Sequence, residues 1–123
     1  MKTLSPKEEQ IMDILWQHGP LFVREMLEYF EEPHPHFNTV STFVRALEEK
    51  GVVAHHAVGN SHQYYAVLSE EDYKKKTLKS VIRKYFNNSY LGAVSTLVKE
   101  EDISVEELKQ LIEQVEKANT KEE

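Results

Sequence analysis

The chain has 123 residues, of which 40% are hydrophobic and 29% are charged, and this composition is ordinary for a soluble protein with a packed core. It has no cysteine, which excludes disulfides, thiolate metal sites and a cysteine nucleophile, and no apolar run approaches the length of a membrane span. We therefore expect a cytoplasmic protein without a secretory signal and without insertion into a membrane. The net charge of −6 disfavours binding to nucleic acid unless basic side chains gather on one surface.

Two helices are predicted in the first third of the chain. The first begins at Ser5-Pro6-Lys7-Glu8, which combines a capping serine, a proline at the first helical position and a glutamate that completes a capping box. It ends at His18-Gly19-Pro20. The second helix is predicted from an apolar stripe, although the preceding Leu21-Phe22 offers no capping oxygen. The stripe consists of Val23, Met26, Leu27 and Phe30.

A third helix, from Asn38 to Lys50, is the most informative segment. We expect Asn38 or Thr39 to be its N-cap and Gly51 to end it in the left-handed conformation. Its inward stripe consists of Val40, Phe43, Val44 and Leu47. Its opposite face carries short side chains and one arginine, unlike the lattice of Glu and Lys on a merely solvated helix. That face consists of Thr39, Ser41, Thr42, Arg45 and Ala46.

After Gly51 the periodicity changes to that of β-strands. Two β-branched and aromatic runs, 52–58 and 63–67, flank Gly59-Asn60-Ser61-His62 and predict a two-stranded hairpin. Three short helices and a hairpin are the layout of a winged helix-turn-helix, in which the third helix enters the major groove of DNA. The predicted fold is therefore mainly α with a small antiparallel β wing, and residues 1–68 form its winged helix DNA-binding domain.

Residues 69–123 are predicted to form a helical dimerisation domain, in which Asn87-Asn88 ends one helix and the capping box Ser104-Val105-Glu106-Glu107 begins the last. Their helices carry amphipathic stripes, but the segment is too short to enclose a core of its own. We therefore expect the stripes to be buried against a second copy of the chain. The stripe residues are Leu78, Val81, Ile82, Tyr85, Leu108, Leu111, Ile112 and Val115.

The third helix and the tip of the hairpin are expected to contact double-stranded DNA. Short Ser and Thr side chains allow close approach to base edges, and Arg45 can pair with a guanine or a phosphate. Lys7 and Arg24 are expected to extend the positive edge of this surface. The alternative for the helix is an ordinary exposed face. The expected DNA-binding residues are Asn38, Thr39, Ser41, Thr42, Arg45, Lys50, Asn60, Ser61 and His62.

The six histidines do not show the spacing of a metal site. His55 and His56 are adjacent on a strand and point to opposite faces, so they cannot chelate one ion. We expect no metal, no cofactor and no catalytic residues, and we predict that the protein is not an enzyme. A small metal-dependent hydrolase is the disfavoured alternative. A mild pH dependence of DNA binding through the wing histidines stays open.

An aromatic pair and a basic stretch have ordinary interpretations beside functional ones. Tyr64-Tyr65 is interpreted as packing in the core and the wing, with stacking on single-stranded nucleic acid as the alternative. The stretch from Lys74 to Lys84 is interpreted as the solvated face of a dimerisation helix, with supplementary phosphate contacts as the alternative.

From about Leu4 to Val115 the sequence resembles the penicillinase-repressor (BlaI/MecI/CopY) family of bacterial transcriptional regulators. The most specific piece is Asn38-Thr39-Val40-Ser41-Thr42-Phe43-Val44, followed by Leu47-Glu48-Glu49-Lys50-Gly51. Further pieces are Leu4-Ser5-Pro6, Val23-Arg24-Glu25, Tyr64-Tyr65 and the segment 98–108. The resemblance implies a homodimeric repressor whose two winged domains bind a dyad-symmetric operator and are joined by C-terminal helices.

The resemblance also implies a mode of induction. In the family a membrane-bound sensor protease relieves repression by cutting the dimerisation arm, and that region matches residues 91–98, with Thr96 and Leu97 at the aligned scissile pair. The Asn-Phe pair of the resistance regulators is absent there, and the lack of cysteine excludes the Cys-rich hook of the copper-responsive branch. Ala46 stands where many relatives carry arginine, and the wing tip lacks their Arg or Lys, so a different operator is expected.

The leading hypothesis is therefore sequence-specific repression of transcription by a dimer on double-stranded DNA. The alternative is a winged-helix module that binds protein and never touches DNA, which the acidic N-terminal half favours. Reversible control by a small molecule stays open beside control by proteolysis.

Overall fold

The computed structural model describes residues 4–122, with side chains described for residues 4–119. The mainly helical chain with a small antiparallel sheet confirms the predicted fold class. The helices are α1 (Pro6–His18), α2 (Val23–Met26), α3 (Phe37–Glu49), α4 (Glu70–Tyr85), α5 (Tyr90–Lys99) and α6 (Val105–Glu122). The strands are β1 (Leu21–Phe22), β2 (Val53–Val58) and β3 (Ser61–Ala66).

The chain divides into two compact units, of which the first ends at Lys76 and the second begins at Thr77. The first turn of α4 belongs to the first unit because Tyr73 packs there. The centroid of its ring lies 5.5 Å from that of Trp16, and its hydroxyl donates to Glu9 Oε2 at 2.8 Å. The expected division into domains after residue 68 stays a prediction.

The core of the first unit forms where α1, α3 and the sheet bury their apolar faces. Ile11, Met26 and Leu47 are completely buried, and each such side chain contributes about 2 kcal/mol relative to an exposed position. Trp16 packs against this core, and its indole Nε1 donates to the carbonyl of Leu68 at 2.8 Å. The other core residues are Leu4, Met12, Ile14, Leu15, Leu21, Val23, Phe30, Val40, Val44, Val52, Val53, Tyr64 and Tyr73.

Helix α1 begins with the predicted capping box. Ser5 Oγ accepts from the Glu8 backbone N–H at 3.2 Å, and Glu8 Oε1 accepts from the Ser5 backbone N–H at 2.8 Å. The same carboxylate oxygen lies 2.7 Å from the ammonium of Lys50, although Glu8 is only 4% exposed. Burial raises the pKa of the Glu8 carboxyl, but the hydrogen bonds from Lys50 and Ser5 outweigh it and hold that pKa below its ordinary value. Glu8 therefore joins the beginning of α1 to the end of α3.

The segment before α2 differs from the prediction. Leu21–Phe22 forms β1, which pairs antiparallel with β3 through Leu21 opposite Tyr64. The sheet therefore has three strands in the order β1-β3-β2, one more than the two-stranded hairpin that we expected. Helix α2 then ends at Met26 and continues as a 3-10 turn over Leu27–Tyr29. The second helix is therefore shorter and less regular than predicted, and its first turn follows directly after strand β1.

Strands β2 and β3 form the predicted wing. They pair in register from Val53 opposite Ala66 to Val58 opposite Ser61, so the loop between them has two residues, Gly59 and Asn60. Gly59 has φ +61°, the left-handed conformation that tight hairpin turns require. The turn is tighter than the predicted four-residue tip, since Ser61 and His62 already belong to β3.

The helices of the second unit are separated at polar residues, as predicted. Asn87 and Asn88 have positive φ after α4, and Ser89 Oγ accepts from Gly92 N–H at 3.0 Å to cap α5. Ser104 and Glu107 form the predicted capping box before α6, with backbone-to-side-chain distances of 3.1 and 3.0 Å. These caps satisfy the ends of the helices locally, without a core.

Candidate nucleic-acid interface

Helix α3 is oriented by its buried stripe. Val40, Val44 and Leu47 are buried at 2%, 0% and 0% exposure, so the opposite face points to solvent. The predicted N-caps Asn38 and Thr39 are wrong, because the cap is His36, whose Nδ1 accepts from the Asn38 backbone N–H at 3.1 Å. An imidazole in the neutral state provides this acceptor as a hydroxyl or carboxylate does.

The outward face of α3 carries the predicted polar side chains. Asn38, Thr39, Thr42 and Arg45 are exposed, and Ser41 is half-buried. Thr42 Oγ1 donates to the Asn38 carbonyl at 2.9 Å, which uses its proton and leaves its oxygen as an acceptor. No acidic residue occurs between Asn38 and Ala46 in the sequence. This face therefore presents neutral donors and acceptors with one cation.

One of the two acids at the end of α3, Glu48, has a partner on the neighbouring strand. Glu48 Oε2 lies 2.5 Å from His55 Nδ1 on β2. Lys50, which we expected to contact DNA, is half-buried, and its ammonium is bonded to the carboxylate of Glu8. Its contact with DNA stays a prediction. Burial raises the pKa of Tyr64 beneath this region, Glu48 raises it further and Arg45 opposes the shift.

The wing histidines are arranged as ring stacks. His55 stacks on His62 with centroids 4.1 Å apart, while His56 stacks on Tyr65 at 4.6 Å, which places His55 and His56 on opposite faces of the sheet as predicted. Tyr64 is buried in the core. Among the described residues, no group of three or more His, Asp or Glu side chains is arranged to hold a metal ion.

An open groove of about 460 Å³ lies between α2, α3 and the wing, and we call it the α3–wing groove. It brings together four of the expected DNA-binding residues: Ser41, Asn60, Ser61 and His62. The expected residues of α3 that do not line it lie on the adjoining outward face. The groove is lined by Phe22, Val23, Arg24, Glu25, Phe37, Ser41, Val58, Asn60, Ser61, His62 and Tyr64.

Two exposed apolar residues of this groove, Phe37 and Val58, were not among the expected contacts. Phe37 and Val58 are 44% and 48% exposed, so the groove has two apolar walls beside its polar side chains. Phe37 lies four residues before Ser41 and therefore on the same face of α3. That spacing was the signal in the sequence that could have found it.

The basic stretch of α4 is partly neutralised within its own helix. Lys74 lies 3.0 Å from Glu70 and Lys75 lies 3.1 Å from Glu71, each four residues apart. Exposed pairs of this kind contribute only about 0.3–0.5 kcal/mol, and the two lysine side chains stay 71% and 63% exposed.

The segment aligned with the cleavage region is helical. Thr96 and Leu97 are exposed within α5, and Thr96 Oγ1 donates to the Gly92 carbonyl at 3.0 Å. The carbonyl of Leu97 accepts from the Asp102 N–H at 3.0 Å, which closes the end of the helix.

Comparison with known proteins gives one consistent result. A family model described as "Penicillinase repressor" matches residues 4–117. The chain is 27% identical over 109 residues to the methicillin resistance regulatory protein MecI of Mammaliicoccus sciuri, a match that covers 88% of this chain and 89% of that protein, and equally to MecI of Staphylococcus aureus strain N315. It is 23% identical over 109 residues to the penicillinase repressor of Staphylococcus aureus, covering 88% and 86%. In the described part of the chain, no helix is both long and apolar enough to span a membrane.

Proposed function

Because the chain belongs to the penicillinase repressor family and is thus a DNA-binding regulator of transcription rather than an enzyme, we propose that it acts as a homodimer on a dyad-symmetric operator. Each winged domain contacts one half-site in double-stranded DNA, with α3 in the major groove and the wing on the adjacent backbone. Two half-sites are needed because one domain offers few cations, and linking two domains raises the effective concentration of the second.

The observation that carries the proposal is the outward face of α3. A rigid core lies behind it, and the face itself presents Thr39, Thr42 and Arg45 to solvent without an acid among them. Small polar side chains allow close approach to base edges, and Arg45 has the geometry for a bidentate contact with guanine. The tip residues Asn60, Ser61 and His62 extend this surface toward the flanking backbone.

The interface is tested by selecting a duplex from a random pool and measuring its affinity by fluorescence anisotropy. Arg45→Ala is expected to cost about 1–3 kcal/mol on the selected duplex and to relax the preference at one base pair. Lys109→Ala removes the same charge from α6 and is the matched control, expected to leave the preference intact. Failure of the wild-type chain to enrich any duplex contradicts the proposal and favours the module that binds only protein.

The exposed apolar residues of the second unit support dimerisation. Leu78, Tyr85 and Leu111 are 61%, 69% and 54% exposed, while Ile112 and Val115 are each about half exposed at 49% and 50%. Amphipathic helices whose apolar side chains stay exposed in the single chain are typical of an interface between chains. Val81 is 40% exposed, Leu108 is half-buried and Ile82 is already buried in the single chain, so these contribute less new area. Sedimentation equilibrium measures the expected dimer, and a monomer at all concentrations contradicts it.

Relief of repression by a membrane-bound sensor protease that cuts the arm at or near Thr96–Leu97 is the regulatory part of the proposal. Exposure of both side chains on α5 supports it, as does the position of this helix within the proposed dimerisation arm. The hydrogen bonds that close α5 mean that the helix must open locally before a protease can bind it extended. Mass spectrometry of the chain after induction in cells tests this: fragments ending within residues 91–98 are expected, and an intact chain during derepression contradicts cleavage.

A further inference from the structure

Resting on the proposed binding to DNA, we propose that the α3–wing groove holds the sugar-phosphate backbone of one strand and that Arg24 binds one of its phosphates. Arg24 lines this groove from α2, together with Ser41 of α3 and Asn60 and Ser61 of the wing. A guanidinium and three neutral side chains that can donate thus surround one open space. This is the donor set that proteins use to contact phosphate.

Arg24 is the cation that the first unit leaves available at this groove. Among the described residues no acidic side chain forms an ion pair with its guanidinium. Lys50, by contrast, is bonded to Glu8 at 2.7 Å, and the ammonium of Lys7 lies over the ring of Phe30 at 5.7 Å. An arginine that lines this groove without an acidic partner is placed to bind an anionic ligand beside the proposed reading surface.

The carboxylate that shares the groove has a structural role. Glu25 Oε1 accepts from the Phe22 backbone N–H at 2.9 Å, where β1 passes into α2. This hydrogen bond completes the local cap at the beginning of α2 and gives the carboxylate a partner in the backbone. The groove therefore keeps its acid bonded to the backbone while its arginine stays unpaired.

The walls of the groove fit the apolar part of a nucleotide strand. Phe37 lies at the first turn of α3 and Val58 lies beside the wing turn, and both are nearly half exposed. Deoxyribose is the least polar segment between successive phosphates, and these two side chains offer apolar surface against which it can pack. In the docking of a winged helix, a strand passes between the recognition helix and the wing, which is the path of this groove.

The test compares Arg24→Gln with Lys109→Gln, which removes the same charge from α6, on the duplex selected by the wild-type chain. Affinities are measured by anisotropy over a series of salt concentrations. A second series replaces single phosphates of the duplex by neutral methylphosphonates. Arg24 is exposed, so thermal unfolding followed by Trp16 fluorescence is expected to be unchanged in both variants.

We expect Arg24→Gln to weaken binding about tenfold and to lower the slope of log affinity against log salt by about 2, since each protomer loses one phosphate contact. One methylphosphonate position per half-site should weaken the wild type and leave Arg24→Gln without further loss, while Lys109→Gln behaves as the wild type throughout. The same slope and the same methylphosphonate profile in Arg24→Gln and Lys109→Gln would overturn this inference while the proposed function stands. If the wild type selects no duplex, the proposed function itself fails.

Discussion

The two units of the chain differ in how far their apolar side chains are exposed to solvent. In the first unit the faces of α1, α3 and the sheet meet, and residues such as Ile11 and Leu47 are completely shielded. In the second unit Tyr85 and Leu91 are 69% and 83% exposed, and within residues 77–119 Ile82 is the one apolar side chain that is buried. The caps are equally good in both units, so the difference lies in tertiary burial and not in helix formation.

This contrast separates two kinds of stability. Most helical stability in proteins comes from the packing of an amphipathic face, so we expect the exposed stripes of the second unit to gain stability from contact outside the single chain. The first unit has its stabilising contacts within itself. Substitutions in its core should therefore change unfolding, whereas substitutions in the stripes should change association.

The largest expected effect is that of Leu47→Ala in the core. The lost transfer energy and the cavity together should lower the free energy of unfolding by about 3 kcal/mol. Urea denaturation followed by the fluorescence of Trp16, the single tryptophan, measures this in the first unit. Leu91→Ala is the matched control, with an expected change below about 0.5 kcal/mol because its side chain is 83% exposed. Equal losses in the two variants would erase the contrast between the units.

The next effect concerns association through the stripes. Ile112→Glu places a charge in the proposed dimer interface and should raise the dissociation constant of the dimer about 100-fold, or about 2.7 kcal/mol. Gln114→Glu introduces the same charge two residues further along α6 and serves as control. Sedimentation equilibrium measures both. A dimer of unchanged strength in Ile112→Glu would show that this stripe is not the interface.

A somewhat smaller effect is expected where α1 meets α3. Glu8→Gln should lower the free energy of unfolding by about 2 kcal/mol at neutral pH, because it removes the charge from a hydrogen-bonded ion pair. The pKa of Glu8 is lowered in the folded chain, so this stabilisation is complete above the ordinary value of 4.5 and is lost as the pH falls through the lowered pKa.

The measurement is the difference in unfolding free energy between the wild type and Glu8→Gln as the pH falls. It should stay constant down to about 4.5 and then shrink. Glu113→Gln on α6 is the control for loss of an exposed carboxylate. A difference that does not depend on pH would mean that packing, rather than the charge, accounts for the loss.

The smallest expected effect is local to the second unit. Ser104→Ala removes the N-cap of α6 and should cost about 1 kcal/mol of helix stability. Amide hydrogen exchange in the first turns of α6 measures it, with Ser95→Ala in the middle of α5 as the control. Unchanged protection in Ser104→Ala would indicate that contacts other than the cap hold this helix.

Local signals in the sequence predicted most of the fold correctly. Both capping boxes, the left-handed Gly51 with φ +79° and the Gly59 turn depend on neighbouring residues, so they can be found in a short window. Strand β1 was missed because two residues are too few to show an alternation. The N-cap at His36 was missed because imidazole is an uncommon acceptor at that position.

The candidate site could be predicted where it follows a helix face or the tip of the hairpin. The exposed side of α3 follows directly from its apolar stripe. The pairing of Lys50 with Glu8 joins residues that are 42 positions apart in sequence, and no local pattern predicts it. Arg24 in the α3–wing groove likewise depends on how α2 and the wing are placed by β1, which is itself a tertiary feature.

The position of β3 in the sheet has a consequence for how this protein can diverge. Tyr64 is paired with Leu21 on one side and with His55 on the other, so β3 is fixed along both edges. One residue inserted into β3 would turn every later side chain to the opposite face and expel Tyr64 from the interior. Changes at the hairpin tip, Gly59 and Asn60, leave this register intact, so we expect the chain to tolerate them better than an insertion within β3.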